Sequence, residues 1–380
     1  MVPSWRDQAR GNSGSRDDRL TFSCQCHLGE QLRGANHNVE HRFSGPQIET
    51  VDDGWSQSDW DAAFAASAPR TEVTEISARS IISYNDSPDL PFGRSINPYQ
   101  GCEHGCIYCY ARPSHAYLEL SPGLDFESKL FAKINAAELL RREFAKPAYQ
   151  PQTIVLGANT DPYQPIEHHY RLTRELLTVM LAHRHPVGLI TKSAMILRDL
   201  DLLTKLAREG LCQVMVSVTT LNETLRRQLE PRASTGVGRI KVIERLAKAG
   251  VPVGVLAAPM IPRLNEPELE QIIKVAVDAG AGCADYILLR LPHELTTLFC
   301  DWLDTHYPGQ KEAILNQLRA SRGGALNSAT FGSRMRGEGQ FADLLAQRFR
   351  LISRRLQLGK RHVALNTAAF IRPGEQLRLF

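Results

Sequence analysis

Apolar positions alternate between two rhythms from about residue 90 to residue 292. Residues 153–156, 187–191, 212–218, 252–257 and 285–289 form short apolar runs of strand length and composition. Between or before them fall stripes of helical period: Leu130, Ile134, Ala137 and Leu140; Leu172, Leu176, Val179 and Met180; Ile240, Ile243, Leu246 and Ala247; and Leu269, Ile272, Ile273 and Val277. Each stripe is the core-facing side of a helix and carries no function by itself. Strands alternating with helices predict right-handed βαβ units and a parallel sheet, open or rolled into a barrel, an α/β fold.

Outside this stretch the pattern changes. Beyond residue 292 the strand signals fade, and Phe341, Leu345, Phe349, Ile352 and Leu356 share one face of an amphipathic helix. Arg350 and Arg354 lie opposite that face, and Arg348 and Arg355 border it. Before residue 80 no apolar period lasts long enough for a core element; Gly, Ser, Asn, Arg and Asp dominate residues 10–19. Residues 51–66, with Trp55 and Trp60 among acids, are compatible with a short docking helix. The expected division is a flexible, poorly ordered N-terminal region over 1–80, a core over 81–292 and a helical, basic C-terminal extension over 293–380.

The chain has 380 residues, 43% hydrophobic and 23% charged, enough apolar material for a sizeable core. Its net charge of +4 excludes a polycation but is unevenly spread. Residues 319–380 hold 12 basic and 3 acidic residues, which suits either a polyanionic partner or a solvated helix face. No run of about 18 apolar residues is present, so no membrane-spanning helix is expected. The first residues lack an apolar segment after a basic one, unlike a secretory signal. The eight cysteines are too few for a disulfide scaffold in a chain this long, so a cytoplasmic, reduced protein is expected. Cys24-x-Cys26-His27 has no second pair and reads as incidental.

The sharpest chemical signal is Asn97-Pro98-Tyr99-Gln100-Gly101-Cys102-Glu103-His104-Gly105-Cys106-Ile107-Tyr108-Cys109-Tyr110. Three thiols at Cys-x3-Cys-x2-Cys converge only if the loop curls tightly, and Gly101 and Gly105 supply that freedom. Three thiolates suit a 4Fe-4S cluster with one iron left for another ligand. The rival is zinc, with His104 or His115 as fourth ligand.

Cys-x3-Cys-x-aromatic-Cys ahead of a βα repeat resembles the radical S-adenosylmethionine (SAM) enzymes, over about residues 90–292. The string 97–112, with Tyr108 and Tyr110 flanking Cys109, is similar more narrowly to the group related to spore photoproduct lyase. The resemblance implies a partial (β/α)6 TIM-like barrel with Cys102, Cys106 and Cys109 on the cluster and SAM near the C-terminal ends of the strands, the face where barrel enzymes place their chemistry. It further implies that the open iron binds the methionine part of SAM, and that an electron from an external donor yields a 5′-deoxyadenosyl radical. On that reading Asn159, Thr160 and Asp161 are candidates for the SAM amino group, the alternative for Thr160 or Asp161 being a helix N-cap. Lys192 is a candidate for the methionine carboxylate, Ser217 and Thr219 for the ribose or carboxylate, and Tyr108 for adenine through its backbone. Arg232 and Arg290 suit an anion or a structural salt bridge. No residue stands out as acting directly on the substrate. Where the lyase returns hydrogen from a further cysteine, the matching place here holds Ala158, and Cys212 reads as core.

The ending Gln376-Leu377-Arg378-Leu379-Phe380 resembles the peptide by which bacterial proteins hold the sliding clamp, with Gln376, Leu377, Leu379 and Phe380 as anchors; a final β-strand is the alternative. The expected function is therefore a radical SAM enzyme on a nucleic-acid, DNA-lesion-like substrate. The alternatives are the same chemistry on a protein, RNA or small molecule, and a zinc-stabilised nucleic-acid-binding protein without catalysis.

Overall fold

Six parallel strands organise the computed structural model, which describes residues 22–23, 33–43, 70–358 and 364–374. In chain order the strands are β1 (Phe22–Ser23), β2 (Glu72–Ile76), β3 (Ile82–Tyr84), β4 (Arg94–Ile96), β5 (Tyr99–Gln100), β6 (Lys129–Lys133), β7 (Ile154–Leu156), β8 (Val187–Thr191), β9 (Cys212–Ser217), β10 (Val253–Met260) and β11 (Cys283–Leu288). The main sheet runs β11-β10-β9-β8-β7-β4-β3. All of its pairs are parallel except the β3–β4 hairpin at the edge. Helices Leu172–Ala182, Leu200–Arg208, Gly236–Lys248 and Leu269–Asp278 cross over between successive strands from β7 to β11, giving the α/β partial barrel of six strands. A second sheet, β1-β2-β6-β5, stands beside it.

Alternation along the strands sorts side chains between two faces. Leu189, Val214, Val216, Val253 and Val255 join the helices in the large outer core. Met215, Leu256, Ala258 and Cys283 make a smaller interior cluster. The interior is tight at Gly254, where a Cβ would lie 2.4 Å from Cys283 Sγ and 2.7 Å from Met215 Sδ. Cys212 is core, as expected: it is fully buried, its Sγ lies 3.4 Å from the Leu203 carbonyl, and burial pushes its thiol up to about 12.

Two expectations need correction. The stripe beginning at Leu130 is not one helix: Leu130 lies in β6, and the helix spans Ala136–Ala145. In β6, Leu130 and Ala132 are buried with a more exposed residue on either side of each, the period of a strand, and pairing with β2 realises it. Poor order throughout 1–80 also fails in part, because residues 33–43 pack on the cysteine loop and β2 is a sheet strand. Residues 51–66, Cys24 and Cys26 lie outside the described residues.

The C-terminal extension is built into the barrel. Helices Leu295–His306 and Lys311–Ala320 place Phe299, Trp302, Leu303 and Ile314 in one apolar cluster with Cys106, Ile107 and Tyr108. Helix Gly339–Arg355 buries Leu345 in the outer core, and its Phe349 ring lies 5.0 Å from Tyr286 of β11. Residues 364–374 cross the opposite end of the barrel, where Asn366 N donates to the Gly210 carbonyl and Ile371 N to that of His183. Gln376, Leu377, Leu379 and Phe380 lie outside the described residues. Among the described residues no helix is long and apolar enough to cross a membrane.

Candidate radical SAM site

The C-terminal ends of the six parallel strands open on one mouth. There β4 leads through β5 into the cysteine loop, β7 into residues 157–161, β8 into Lys192, β9 into Thr219, and β11 into Arg290. The loop curls as its glycines allow: Gly101 has φ +75° and Gly105 φ +67°. A Cβ on Gly105 would fall 2.7 Å from Glu127 Oε2. Backbone bonds from Gly105 N to Cys102 O (3.4 Å) and from Cys109 N to Cys106 O (3.2 Å) close the curl.

The three thiols lie within reach of one another's charge. Burial, then Asp161 and the other two cysteines, pushes the Cys102 thiol well up, and burial pushes Cys106 up to about 12. Burial and the neighbouring negative groups disfavour thiolates here, and a group bearing positive metal ions would relieve both effects. Cys102, Cys106 and Cys109 would hold a 4Fe-4S cluster here. Among the described residues no three His, Cys, Asp or Glu side chains are grouped as one metal ion requires; a cube needs them only at separate corners. Each of the two histidines weighed as a zinc ligand keeps a buried Nδ1 without a hydrogen-bond partner among the described residues. His104 Nδ1 lies 3.5 Å from Asp161 Oδ2. His115 Nε2 is bonded to the Lys129 carbonyl at 2.9 Å, and its ring packs 5.2 Å from Phe126.

Several buried groups brace the loop. Arg112, fully buried, ion-pairs with Glu127 and donates to the carbonyls of Cys106 (2.8 Å), Pro122 (3.0 Å) and Gly123 (2.8 Å). Glu127 also accepts from the backbone of Gly34 (2.9 Å) and Ala35 (2.8 Å), tying residues 33–43 to the loop. Gln164 accepts from Glu103 N at 3.0 Å and donates to the Gly101 carbonyl at 3.1 Å.

Beside the loop lies a buried polar cluster assembled from distant segments. Lys192 Nζ is 2.8 Å from Tyr108 Oη and 3.2 Å from Glu230 Oε2. Thr219 Oγ1 is 3.0 Å from Tyr108 Oη, 3.3 Å from Glu230 Oε2 and 3.0 Å from the Ala258 carbonyl. Glu230 also bonds Tyr108 and pairs with Arg239, and its Oε2 lies 3.9 Å from Cys106 Sγ. Burial opposes the Glu230 carboxylate's charge, but Arg239 and Lys192 prevail and hold it at about 2. The cluster is thus a permanently charged patch bordering a cluster ligand.

The expected SAM contacts divide on this geometry. Tyr108, Lys192 and Thr219 come together. Ser217 ends β9, buried, and its carbonyl accepts from Arg239 at 3.1 Å. Asp161 is committed within the protein, accepting from Thr191 Oγ1 (2.7 Å), Lys192 N (2.8 Å) and Tyr163 N (2.9 Å); it is a strand-end brace and not a helix cap. Thr160 Oγ1 donates to the Tyr99 carbonyl at 3.0 Å. Asn159 N donates to Asn97 Oδ1 at 3.0 Å, which leaves its half-buried side chain the freest polar group of the three. Arg232 pairs with Glu103 at 3.0 Å, the structural salt bridge anticipated for it. Among the described residues Arg290 has no such pair and stacks on Tyr110 instead. Glu230, Arg239, Arg112, Glu127 and Gln164 were not singled out from the sequence.

A parallel six-strand barrel with a three-cysteine loop at its mouth defines the class, and the comparisons agree. Residues 96–276 match the family model of the radical SAM superfamily. In fold it is similar to spore photoproduct lyase: a variant with bound AdoMet and dinucleoside spore photoproduct superposes with a TM-score of 0.55 at 16% identity, covering 75% of this chain and 79% of that one. An uncharacterized protein of Mycobacterium tuberculosis is 34% identical over 221 residues, which are 58% of this chain and 65% of that protein. The chain thus spans slightly under two thirds of that relative's length. An uncharacterized protein of Methanocaldococcus jannaschii is 26% identical over 67% of this chain and 90% of its own length.

Proposed function

We propose that this chain is a radical SAM enzyme acting on a nucleic-acid substrate of DNA-lesion type. The observation that carries the chemistry is the placing of three cysteines, Cys102 and Cys106 buried and Cys109 half-buried, on one curled loop beside the Tyr108–Lys192–Thr219–Glu230 group at the strand ends. A 4Fe-4S cluster held here would supply the one electron that cleaves the sulfonium of SAM to a 5′-deoxyadenosyl radical able to abstract hydrogen from a substrate. The chain's own residues hold and orient. Cys102, Cys106 and Cys109 ligate. Lys192, whose ammonium already meets Tyr108 and Glu230, would give its remaining donor to the methionine carboxylate, and Asn159 is a polar contact at the mouth. Asp161 fixes the β8 end that carries Lys192. Glu230 and Arg239 keep charge balanced around the ligand loop, and helices Leu295–His306 and Lys311–Ala320 shield it from water.

The nucleic-acid part is supported by the likeness in fold to an enzyme solved with a dinucleoside spore photoproduct and by the part of the basic charge over residues 319–380 that ion pairs with the barrel do not use. Ala158, where the lyase carries a cysteine, argues for a different hydrogen return, hence a different lesion or product. Recruitment to a sliding clamp through Gln376, Leu377, Leu379 and Phe380 belongs to the same proposal, as does location in the cytoplasm. Anaerobic protein with iron, sulfide, dithionite and SAM should be brown and release 5′-deoxyadenosine, and Cys106→Ala should abolish both. A colourless protein holding zinc, or a fully loaded cluster that releases no 5′-deoxyadenosine, would overturn the reading.

A further inference from the structure

We infer that Arg290 and Tyr110 form a phosphate subsite for the substrate strand. The inference rests on the nucleic-acid reading above. Arg290 follows β11 at the mouth of the barrel, and its guanidinium carbon lies 5.0 Å from the centre of the Tyr110 ring, one residue beyond the last cluster cysteine. Among the described residues it makes no hydrogen bond or ion pair. Several half-buried arginines elsewhere in the fold are paired: Arg232 with Glu103, Arg198 with Glu167 and Asp199, and Arg348 with Glu266 and Glu270. Arg94, which like Arg290 stacks on tyrosine, donates to the Gln150 carbonyl. Nearby Arg322 is 5% exposed and also has no carboxylate; it donates to the carbonyls of Leu288, Leu289 and Arg334. The carboxylate of this neighbourhood, Asp89, is held by Arg334 at 2.6 Å and by Gly332 N at 2.6 Å. Positive charge is therefore in excess at the end of β11, and the Arg290 fork is the part of it with free donors.

A planar fork with two parallel donors matches phosphate oxygens. The aromatic surroundings favour a nucleotide chain over an isolated anion. Tyr110 is 45% exposed, and Phe331, 56% exposed, lies 4.8 Å beneath the Arg334 guanidinium. Two arginine–aromatic stacks within electrostatic reach of each other, at the rim of the reactive cavity, present faces for bases and a cation for the phosphate between them. Tyr110 is also tied by its hydroxyl to the Ala158 carbonyl, so the platform is fixed to the β7 loop.

The test uses full-length, cluster-loaded protein with SAM and a fluorescent 12-nucleotide single strand of mixed sequence, read by anisotropy over a salt series. Arg290→Gln should weaken binding roughly tenfold and reduce the salt slope by about 0.7, one phosphate contact on a single strand. Arg290→Lys should restore the slope with incomplete affinity, and Arg245→Gln, on the outer helix, should match wild type. If Arg290→Gln binds the strand like wild type, the subsite is wrong while the nucleic-acid reading stands. If wild type ignores the strand but binds an acidic peptide, the nucleic-acid reading falls and the subsite with it. Weakened SAM binding in equilibrium dialysis with unchanged strand binding would assign Arg290 to the cofactor and also overturn the proposal. Should Arg290→Gln lose its iron, Arg290→Lys decides: strand affinity equal to wild type refutes the fork.

Discussion

At the residue scale the most consequential side chain is Glu230. It is fully buried between Lys192 and Arg239, and it bonds the Tyr108 hydroxyl. Removing one partner of such a group leaves buried charge uncompensated, at a cost of roughly 3–5 kcal/mol. Glu230→Gln should therefore lower the unfolding free energy obtained from urea titration by that amount. A loss under about 1 kcal/mol would show that Lys192 and Arg239 find other neighbours. Tyr108, Lys192 and Thr219 were legible in the sequence because each stands in the cysteine motif or at the end of an apolar run. Glu230 was not, since it follows a short helix, Glu223–Leu229, and no local pattern turns its carboxylate inward. Asp161 was legible as important but not in its role: its bonds to Thr191 and Lys192 cross from one βα unit to the next.

Among elements, the segment 33–43 departs most from expectation. Its sequence has no apolar period, and backbone groups together with the Arg33, Asn38 and Arg42 side chains dock it. Gly34 N and Ala35 N bind Glu127, and Arg33 donates to the Glu127 carbonyl at 2.8 Å. The approach is so close that a Cβ on Gly34 would sit 1.6 Å from the Gly105 carbonyl oxygen. Gly34→Ala should release the segment, raise hydrogen exchange over residues 33–43 and 101–109, and hasten bleaching of the cluster in air, with the barrel's melting temperature little changed. Unaltered exchange at both places would mean that the contact carries no constraint. The strand β6 teaches the same lesson. Leu130 sits where either a helical or a strand period fits, and only the partner β2 resolves the choice.

Over the whole molecule, the basic C-terminal region is less available than its count suggests. Arg322 serves backbone carbonyls, Arg334 and Arg336 pair with Asp89 and Asp285, Arg348 pairs with Glu266 and Glu270, and Arg372 caps carbonyls after helix Ala136–Ala145. Much of the positive charge is mortar between extension and barrel, which leaves Arg290 with outsized weight. Buried histidines give the molecule a pH dependence. Burial lowers His115 to about 4 and His185 to about 3; His185 is bonded to Tyr149 Oη at 2.8 Å. Below their ordinary pKa of about 6.5 the unfolded chain takes up protons that the folded chain refuses, so stability falls with pH. Each histidine accounts for about 2 kcal/mol between pH 6.5 and pH 5. Burial lowers His104 as well. Thermal melts from pH 7 to pH 5 should show this slope, and His185→Gln should flatten it in part, while an equal slope in the variant would assign the acid sensitivity elsewhere. Deleting residues 376–380 should abolish clamp binding in a pull-down while leaving 5′-deoxyadenosine release intact, and clamp binding that survives the deletion removes the recruitment idea.

Read alone, the chain already told of alternating strands and helices, and of three thiols meant to converge, because both depend on spacings of a few residues and on glycine's freedom at two turns. It did not tell which polar strand ends face a ligand and which satisfy one another. Those pairings join residues far apart, Tyr108 with Glu230 across 122 positions and Gly34 with Glu127 across 93. No local period encodes such distances; they exist only once the barrel brings its strand ends to a common mouth and burial forces every charge there to find a partner.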